Sequence, residues 1–209
     1  MFLIIILYLV NRIVQLLVIG DSSVGKTSLI TRYTNGIFKE EYLATVGLDY
    51  YSKTEEIDNQ KIQIKLWDTA GQERYKALTQ NYFRSAEGVL LAFDVTNEES
   101  FKNLKEWISS IKVNMESKNI FLPLIIIGNK IDKDDREIEK EEAEKFASEN
   151  NYKYFETSAK TGEGVDEAIR ELVKLVLNQN QVDEQKIEAR KSVAIKENKP
   201  SEEKKKGCC

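Results

Sequence analysis

The segment that most constrains this chain is Gly20 to Thr27, which reads GDSSVGKT. A β-branched, apolar run from Ile13 to Ile19 enters it. A stretch with helical spacing, carrying Leu29, Ile30 and Tyr33, leaves it and stops at Asn35-Gly36. Strand, glycine-bounded loop and helix together make the GxxxxGK[ST] pattern of a phosphate cradle. The glycines let successive backbone N–H groups turn inward around phosphate oxygens, and the helix N-terminus adds partial positive charge. In such a loop Lys26 reaches the β- and γ-phosphates, and the Thr27 hydroxyl is an oxygen ligand for Mg²⁺. Asp21, Ser22, Ser23, Val24, Gly25 and Ser28 complete the candidate nucleotide-binding residues of this segment.

The rest of the chain alternates strand and helix patterns. Leu48 to Ile57 and Lys61 to Trp67 read as strands joined by a hairpin turn at Asp58-Asn59-Gln60. Gly88 to Val95 and Phe121 to Ile127 read as buried strands, and Tyr152 to Phe155 as a short one. Helical spacing predicts helices over Glu98 to Glu116, Glu139 to Asn150 and Val165 to Leu177. Phe38 to Gly47 and Asp68 to Tyr75 read as loops. The expectation is an α/β fold: a mostly parallel six-stranded sheet with one antiparallel strand and helices on both faces. Ligands of such sheets sit beyond the carboxyl ends of the strands.

Composition narrows the chemistry. The 209 residues include no histidine, which removes Ser-His and Cys-His pairs and His-based metal sites. The two cysteines, Cys208 and Cys209, are the last two residues, so no disulfide framework or Cys-ligated zinc is expected. A formal net charge of −4 argues against a general nucleic-acid binder. From Gln181 onward the apolar period fades and a basic excess gathers at Lys204, Lys205 and Lys206, which predicts a solvated, disordered tail.

Three further segments follow predicted strands. In Trp67 to Arg74, WDTAGQER, Asp68 can hold Mg²⁺ directly or through water. Gly71 has no side chain to keep its backbone from a γ-phosphate, and the Gln72 amide can orient an attacking water. In Asn129-Lys130-Ile131-Asp132, the Asp132 carboxylate can accept both neighbouring donors of guanine, N1–H and the 2-amino group. Adenine presents no such pair, so Asp132 would select against ATP. Lys130 can lay its methylene stem over the base. In Thr157-Ser158-Ala159-Lys160, the Ala159 N–H would meet the guanine O6, with Ser158 and Lys160 beside it.

In this order and spacing, the four segments resemble the Ras superfamily of small GTPases over about Ile13 to Leu177. Thr45-Val46-Gly47-Leu48-Asp49-Tyr50, WDTAGQERY, Tyr82 to Ala86, Leu91 to Thr96 and the terminal Gly207-Cys208-Cys209 resemble the Rab family. The resemblance implies that Thr45 binds Mg²⁺ and senses the γ-phosphate, and that Phe38 packs against the guanine. It implies an effector and switch surface at Val46, Gly47, Leu48, Asp49, Trp67 and Tyr75. It also implies geranylgeranyl groups on Cys208 and Cys209. Implied partners are GTP and GDP, an exchange factor, an activating protein, effectors, and prenylation escort and GDP-dissociation inhibitor proteins. The implied state is a monomer on the cytoplasmic face of an intracellular membrane, cycling with the cytosol. Ser23, Tyr50, Tyr75, Phe83 and Ser85 depart from the commonest Rab residues (glycine, phenylalanine, phenylalanine, tyrosine and glycine).

The implied activity is slow GTP hydrolysis, because no motif supplies an arginine in cis. Gln72 and Lys26 are the expected catalytic residues. The domain expectation is an apolar extension over 1–12, a GTPase domain over 13–178 and a tail over 179–209. Two other readings compete: an interaction module that binds GTP but barely hydrolyses it, and a protein whose Phe2 to Ile19 run spans a membrane. The second is incompatible with a strand before the phosphate loop. The run Met1 to Val10 is read as an unusual extension or an incorrectly predicted gene start.

Overall fold

The computed structural model describes residues 12–39, 48–69, 85–116 and 121–179. Residues 1–11, most of the loop from Phe38 to Gly47, the loop after Thr69 and residues 180–209 lie outside them. The chain divides into two units, Met1–Val176 and Leu177–Cys209. Of the second, only residues 177–179 are described, and they are helical.

Six strands form one sheet: β1 (Arg12–Ile19), β2 (Leu48–Ile57), β3 (Gln60–Thr69), β4 (Gly88–Asp94), β5 (Leu124–Asn129) and β6 (Lys153–Thr157). Their order is β2-β3-β1-β4-β5-β6. Only β2 runs antiparallel to its neighbour, paired to β3 from Leu48↔Thr69 to Ile57↔Gln60. The expected mixed sheet is therefore the one observed. The β2–β3 turn is Asp58-Asn59 alone, with φ +50° and +61°, a left-handed pair that Asx residues tolerate. Gln60, expected in the turn, pairs in β3 instead.

β1 is central, parallel to β3 on one side and β4 on the other. Val14 and Leu16 to Ile19 are fully buried there. Of the run that a membrane-spanning reading would need, Arg12–Ile19 is thus a sheet strand. Among the described residues no helix is long and apolar enough to cross a membrane.

Helices α1 (Lys26–Asn35), α2 (Glu98–Lys102), α3 (Leu104–Glu116) and α4 (Lys140–Glu149) cover the sheet with α5 (165–179). Alternate residues along each strand face opposite layers. Leu17, Ile19, Val89, Leu91, Phe93 and Ile126 belong to a core with Phe101, Leu104, Ile108, Ala143 and Ala147 of α2, α3 and α4. Val18, Leu66, Leu90 and Ile127 meet Leu29 and Ile30 of α1 and Val165 and Ile169 of α5 on the other face. Each fully buried aliphatic side chain stabilises the fold by ~1.5–3 kcal/mol.

β3 also takes in Asp68 and Thr69, expected in the loop, and two larger corrections concern the helix after β4 and the strand β5. The predicted helix Glu98 to Glu116 is interrupted at Asn103. Asn97 caps α2 by accepting the Ser100 N–H at 3.0 Å. The Asn103 side chain is drawn 2.7 Å to Asp21 Oδ2, and its carbonyl accepts from both Glu106 and Trp107. Apolar spacing continues across this break, which is why periodicity alone reads one helix. The strand predicted over Phe121 to Ile127 is Leu124–Asn129. Pro123 has no N–H to donate, and its carbonyl instead accepts from Val89.

An ion-pair network joins edge strand β2 to α5. Lys53 contacts Glu55 at 2.7 Å and Asp166 at 3.2 Å, and Arg170 donates to Glu55 at 2.8 Å. Burial opposes ionisation of Glu55, but Arg170 and Lys53 outweigh it and hold its carboxyl below the usual range. Burial, then the Glu55 charge, pushes the neighbouring Tyr33 phenol well up.

Candidate nucleotide and magnesium site

Parallel pairing places the carboxyl ends of β1, β3, β4, β5 and β6 along one sheet edge. Register sets Val18 beside Asp68, Asp94 beside Asn129, and Asn129 beside Thr157. The loops after β1, β3, β5 and β6, which are expected to carry chemistry, start from this edge, while the loop from Phe38 to Gly47 follows α1.

The first loop curls back on itself. Lys26, only 5% exposed, donates from Nζ to the Gly20 carbonyl at 2.7 Å and the Asp21 carbonyl at 2.8 Å. Gly20 has φ +138°, and a Cβ there would lie 2.0 Å from the Ala92 carbonyl oxygen. Gly20→Ala is therefore expected to lower stability by about 3 kcal/mol, a fall in Tm of about 10 °C by calorimetry. Gly25 enters α1 at φ +99°, and its Cβ would meet Asn129 Nδ2 at 2.5 Å. The Cβ-free space beneath the loop is thus filled by a neighbouring motif. Ser22 and Ser23 are exposed, Val24 is buried, and Thr27 and Ser28 are half-buried. Ser23 takes φ +67°, a left-handed conformation that favours glycine and costs another residue ~1–2 kcal/mol.

The second and third motifs close onto the first. Asn129, 1% exposed, donates from Nδ2 to the Val24 carbonyl at 2.8 Å. Its Oδ1 accepts from Thr157 Oγ1 and from the Ala159 N–H, both at 3.2 Å. One amide therefore holds three loops in register. Lys130, at φ +71°, donates to the Ser23 carbonyl at 2.7 Å and pairs with Asp94 Oδ2 at 2.6 Å. Its stem consequently bridges from β5 back to the phosphate loop. Asp132 Oδ1 accepts from the buried Ser158 hydroxyl at 2.5 Å, which fixes the carboxylate beside Ala159. Lys160 is exposed at the end of this group.

Asp68 is fully buried at the end of β3, on the strand next to β1. Thr69 beside it donates to the Val18 carbonyl at 3.0 Å. Thr27 hydroxyl and Asp68 carboxylate are both hard oxygen donors. Such a pair fits Mg²⁺, which takes one or two protein oxygens and completes its shell with water and phosphate. Among the described residues no cluster of three or more His, Cys, Asp or Glu offers another metal site.

The Asp21 side chain has a structural role of its own. Its carboxylate turns toward the break between α2 and α3, accepting from Trp107 Nε1 at 2.9 Å and Asn103 Nδ2 at 2.7 Å. The backbone of Asp21, not its side chain, faces Lys26. This tie is not marked by any sequence motif, and the Trp107 ring itself packs against the core. The available signal was chemical, since a half-buried indole N–H needs an acceptor. Asp94 and Thr157 were also missed as supports for Lys130 and Asn129.

Phe38 is half-buried at the end of the described stretch after α1. Of the expected effector surface, Asp49 is exposed and accepts from the Tyr50 N–H, and Trp67 packs 5.3 Å from the Tyr50 ring across the β2–β3 pair. Leu48 opens β2. Thr45, Val46, Gly47, Gly71, Gln72, Tyr75, Cys208 and Cys209 lie outside the described residues.

A phosphate cradle sealed by an asparagine from the next strand but one, on a doubly covered sheet, defines a P-loop nucleotide-binding protein. Comparison with known proteins makes this specific. The Ras family model matches residues 15–178. Rab-13 from Bos taurus is 42% identical over 168 residues, covering 80% of this chain and 81% of that protein. Rab-18-B from Danio rerio is 42% identical over 163 residues, 78% of each. Rab-8B from Homo sapiens is 41% identical over 189 residues, 88% of this chain and 90% of that protein. The chain belongs to the Ras family and, within it, to the Rab small GTPases. It is accordingly a hydrolase acting on GTP. Members of its family work in vesicle trafficking and generally use Mg²⁺.

Proposed function

We propose that this chain is a membrane-anchored switch of vesicle traffic that binds GTP and GDP in the loops described and hydrolyses GTP slowly. The observation that carries the reading is Asn129, bonded at once to the phosphate loop and to the Thr157–Ala159 loop. That amide joins the element suited to phosphate to the element suited to a base.

In this reading Lys26 and the N–H groups of residues 21–28 hold the phosphates. Thr27, Thr45 and Asp68 would hold Mg²⁺, which when bound neutralises charge developing on the phosphate oxygens. Asp132 accepts the two guanine donors, Lys130 covers the base, and Phe38 packs against it. Gly71 admits the γ-phosphate and Gln72 orients water for in-line attack. Mass spectrometry of the nucleotide carried by the purified protein tests the assignment. GDP or GTP is expected, and ATP or no nucleotide overturns it.

Gln72→Leu removes the amide that positions water. Single-turnover GTP hydrolysis is expected to fall by about tenfold or more, with nucleotide affinity unchanged. A mutant as fast as wild type would remove Gln72 from the mechanism and favour a binding module with little hydrolytic role.

The switch reading assigns effector contacts to Val46, Gly47, Leu48, Asp49, Trp67 and Tyr75. Ordering of the loops around Thr45 and Gln72 by the γ-phosphate would make that surface nucleotide-dependent. An exchange factor and an activating protein set the two rates. The GTPase domain spans 13–178, and 179–209 form a tail. Geranylgeranyl groups on Cys208 and Cys209 give stable anchoring where one lipid would not, and Lys204 to Lys206 add attraction to an anionic cytoplasmic leaflet. Escort and GDP-dissociation inhibitor proteins would then shuttle a monomeric protein between membrane and cytosol.

A further inference from the structure

Arg32 lies on α1, outside every motif that identifies the nucleotide site. Its guanidinium nevertheless addresses three backbone carbonyls. Nε donates to Ala159 at 2.7 Å, one terminal nitrogen donates to Lys160, and the other donates to Gly36 at 2.9 Å. Ala159 and Lys160 belong to the loop after β6, 127 and 128 residues away in sequence. Gly36 is the left-handed cap that ends α1, and its own N–H returns to the Arg32 carbonyl at 3.0 Å. Gly162 packs beside the same side chain, since a Cβ there would lie 3.6 Å from Arg32 Cδ.

Three segments therefore meet on one fork. The first is the helix that starts in the phosphate loop at Lys26. The second is the loop whose Ala159 N–H donates to Asn129 Oδ1 and whose Ser158 hydroxyl holds Asp132. The third is the chain leaving α1 at Gly36, two residues before Phe38. Only a planar group with several fixed N–H donors can satisfy three carbonyls in these directions. A lysine would offer one point charge on a flexible stem.

We infer that Arg32 is a positioning residue for guanine: it acts through Ala159 and Lys160 to hold the base loop against α1, and so governs how long nucleotide is retained. The inference rests on the reading of residues 158–160 as the base loop. It concerns retention and leaves the hydrolytic step to Lys26, Gln72 and the phosphate loop.

The test uses the full chain loaded with a fluorescent GDP analogue in Mg²⁺, as wild type, Arg32→Ala and Arg32→Lys. Release from Arg32→Ala is expected to be about tenfold faster than from wild type, because charge-assisted bonds to the loop are lost. Arg32→Lys should fall between the two and provides the comparison if the alanine variant folds poorly. Single-turnover GTP hydrolysis should stay within about twofold in both variants. Unchanged release in both variants would overturn the inference. So would hydrolysis slowing by the same factor as release rises, which would mark general loosening of the fold. A wild-type protein that retains no guanine nucleotide would instead bring down the site reading itself, and the inference with it.

Discussion

Asp132→Asn is expected to weaken GDP and GTP binding by about 10³-fold, read as the dissociation constant from equilibrium titration. The carboxylate is the only group proposed to accept both guanine donors. Each bond from a donor to a charged acceptor contributes ~1.5–3 kcal/mol, and every ~1.4 kcal/mol is tenfold. An amide supplies one acceptor and turns an N–H donor toward a base donor, so one bond is lost and a repulsion is gained. The Ser158 hydroxyl that now donates to Asp132 Oδ1 can still donate to the asparagine oxygen, so the fold should survive. Circular dichroism melting within a few degrees of wild type would separate lost recognition from lost structure. Affinity within threefold of wild type would remove Asp132 from base recognition.

Lys26→Ala should abolish measurable nucleotide binding at micromolar concentrations, a loss of about 10³-fold or more. The ammonium is buried at the mouth of α1 and rests on the Gly20 and Asp21 carbonyls. Those two carbonyls fix it beside the loop, ready for phosphate oxygens. Bonds between charged groups are roughly twice as strong as neutral ones, and burial strengthens them further. Alanine would also leave the two carbonyls without this donor, so a modest fall in stability, ~1–3 kcal/mol, should accompany the loss of binding. The two effects separate by comparing thermal melts with nucleotide titrations. Retained binding would show that backbone N–H groups alone suffice.

Much of this architecture is legible in the sequence because the strands are buried and the loops between them are chemically distinctive. The end of α1 (Lys26–Asn35) and the end of β2 (Leu48–Ile57) follow directly from the glycine stop at Gly36 and from the hairpin turn that starts at Asp58. The apolar runs of β1 and β4 mark strands buried on both faces, while the placing of β1 between β3 and β4 is seen only in the fold. The phosphate loop, Asp68, Asn129 and Asp132 are readable because each ends or directly follows a strand at one edge of a parallel sheet.

What escaped the sequence is of another kind. The break at Asn103 preserves the apolar period on both sides, so nothing in hydropathy marks it. Its cause is a polar contact to Asp21, more than eighty residues back along the chain. Arg32 escaped for the same reason. An arginine on the polar side of a helix is ordinary in sequence, and its three carbonyl partners are set by tertiary placement alone. Motif reading finds the residues suited to touch a ligand. It does not find the ones that hold them there.

The bond between Trp107 and Asp21 makes the phosphate loop optically visible. The chain has two tryptophans. The indole of Trp107 is bonded to the loop carboxylate at 2.9 Å, while that of Trp67 is bonded to Gln15 at 3.2 Å beside the proposed effector strand. Any change in the loop alters the electric field around one chromophore, and any change at β3 alters it around the other. The protein thus carries two intrinsic reporters, one on the phosphate loop and one on β3, and replacing either by phenylalanine leaves the other to be read alone.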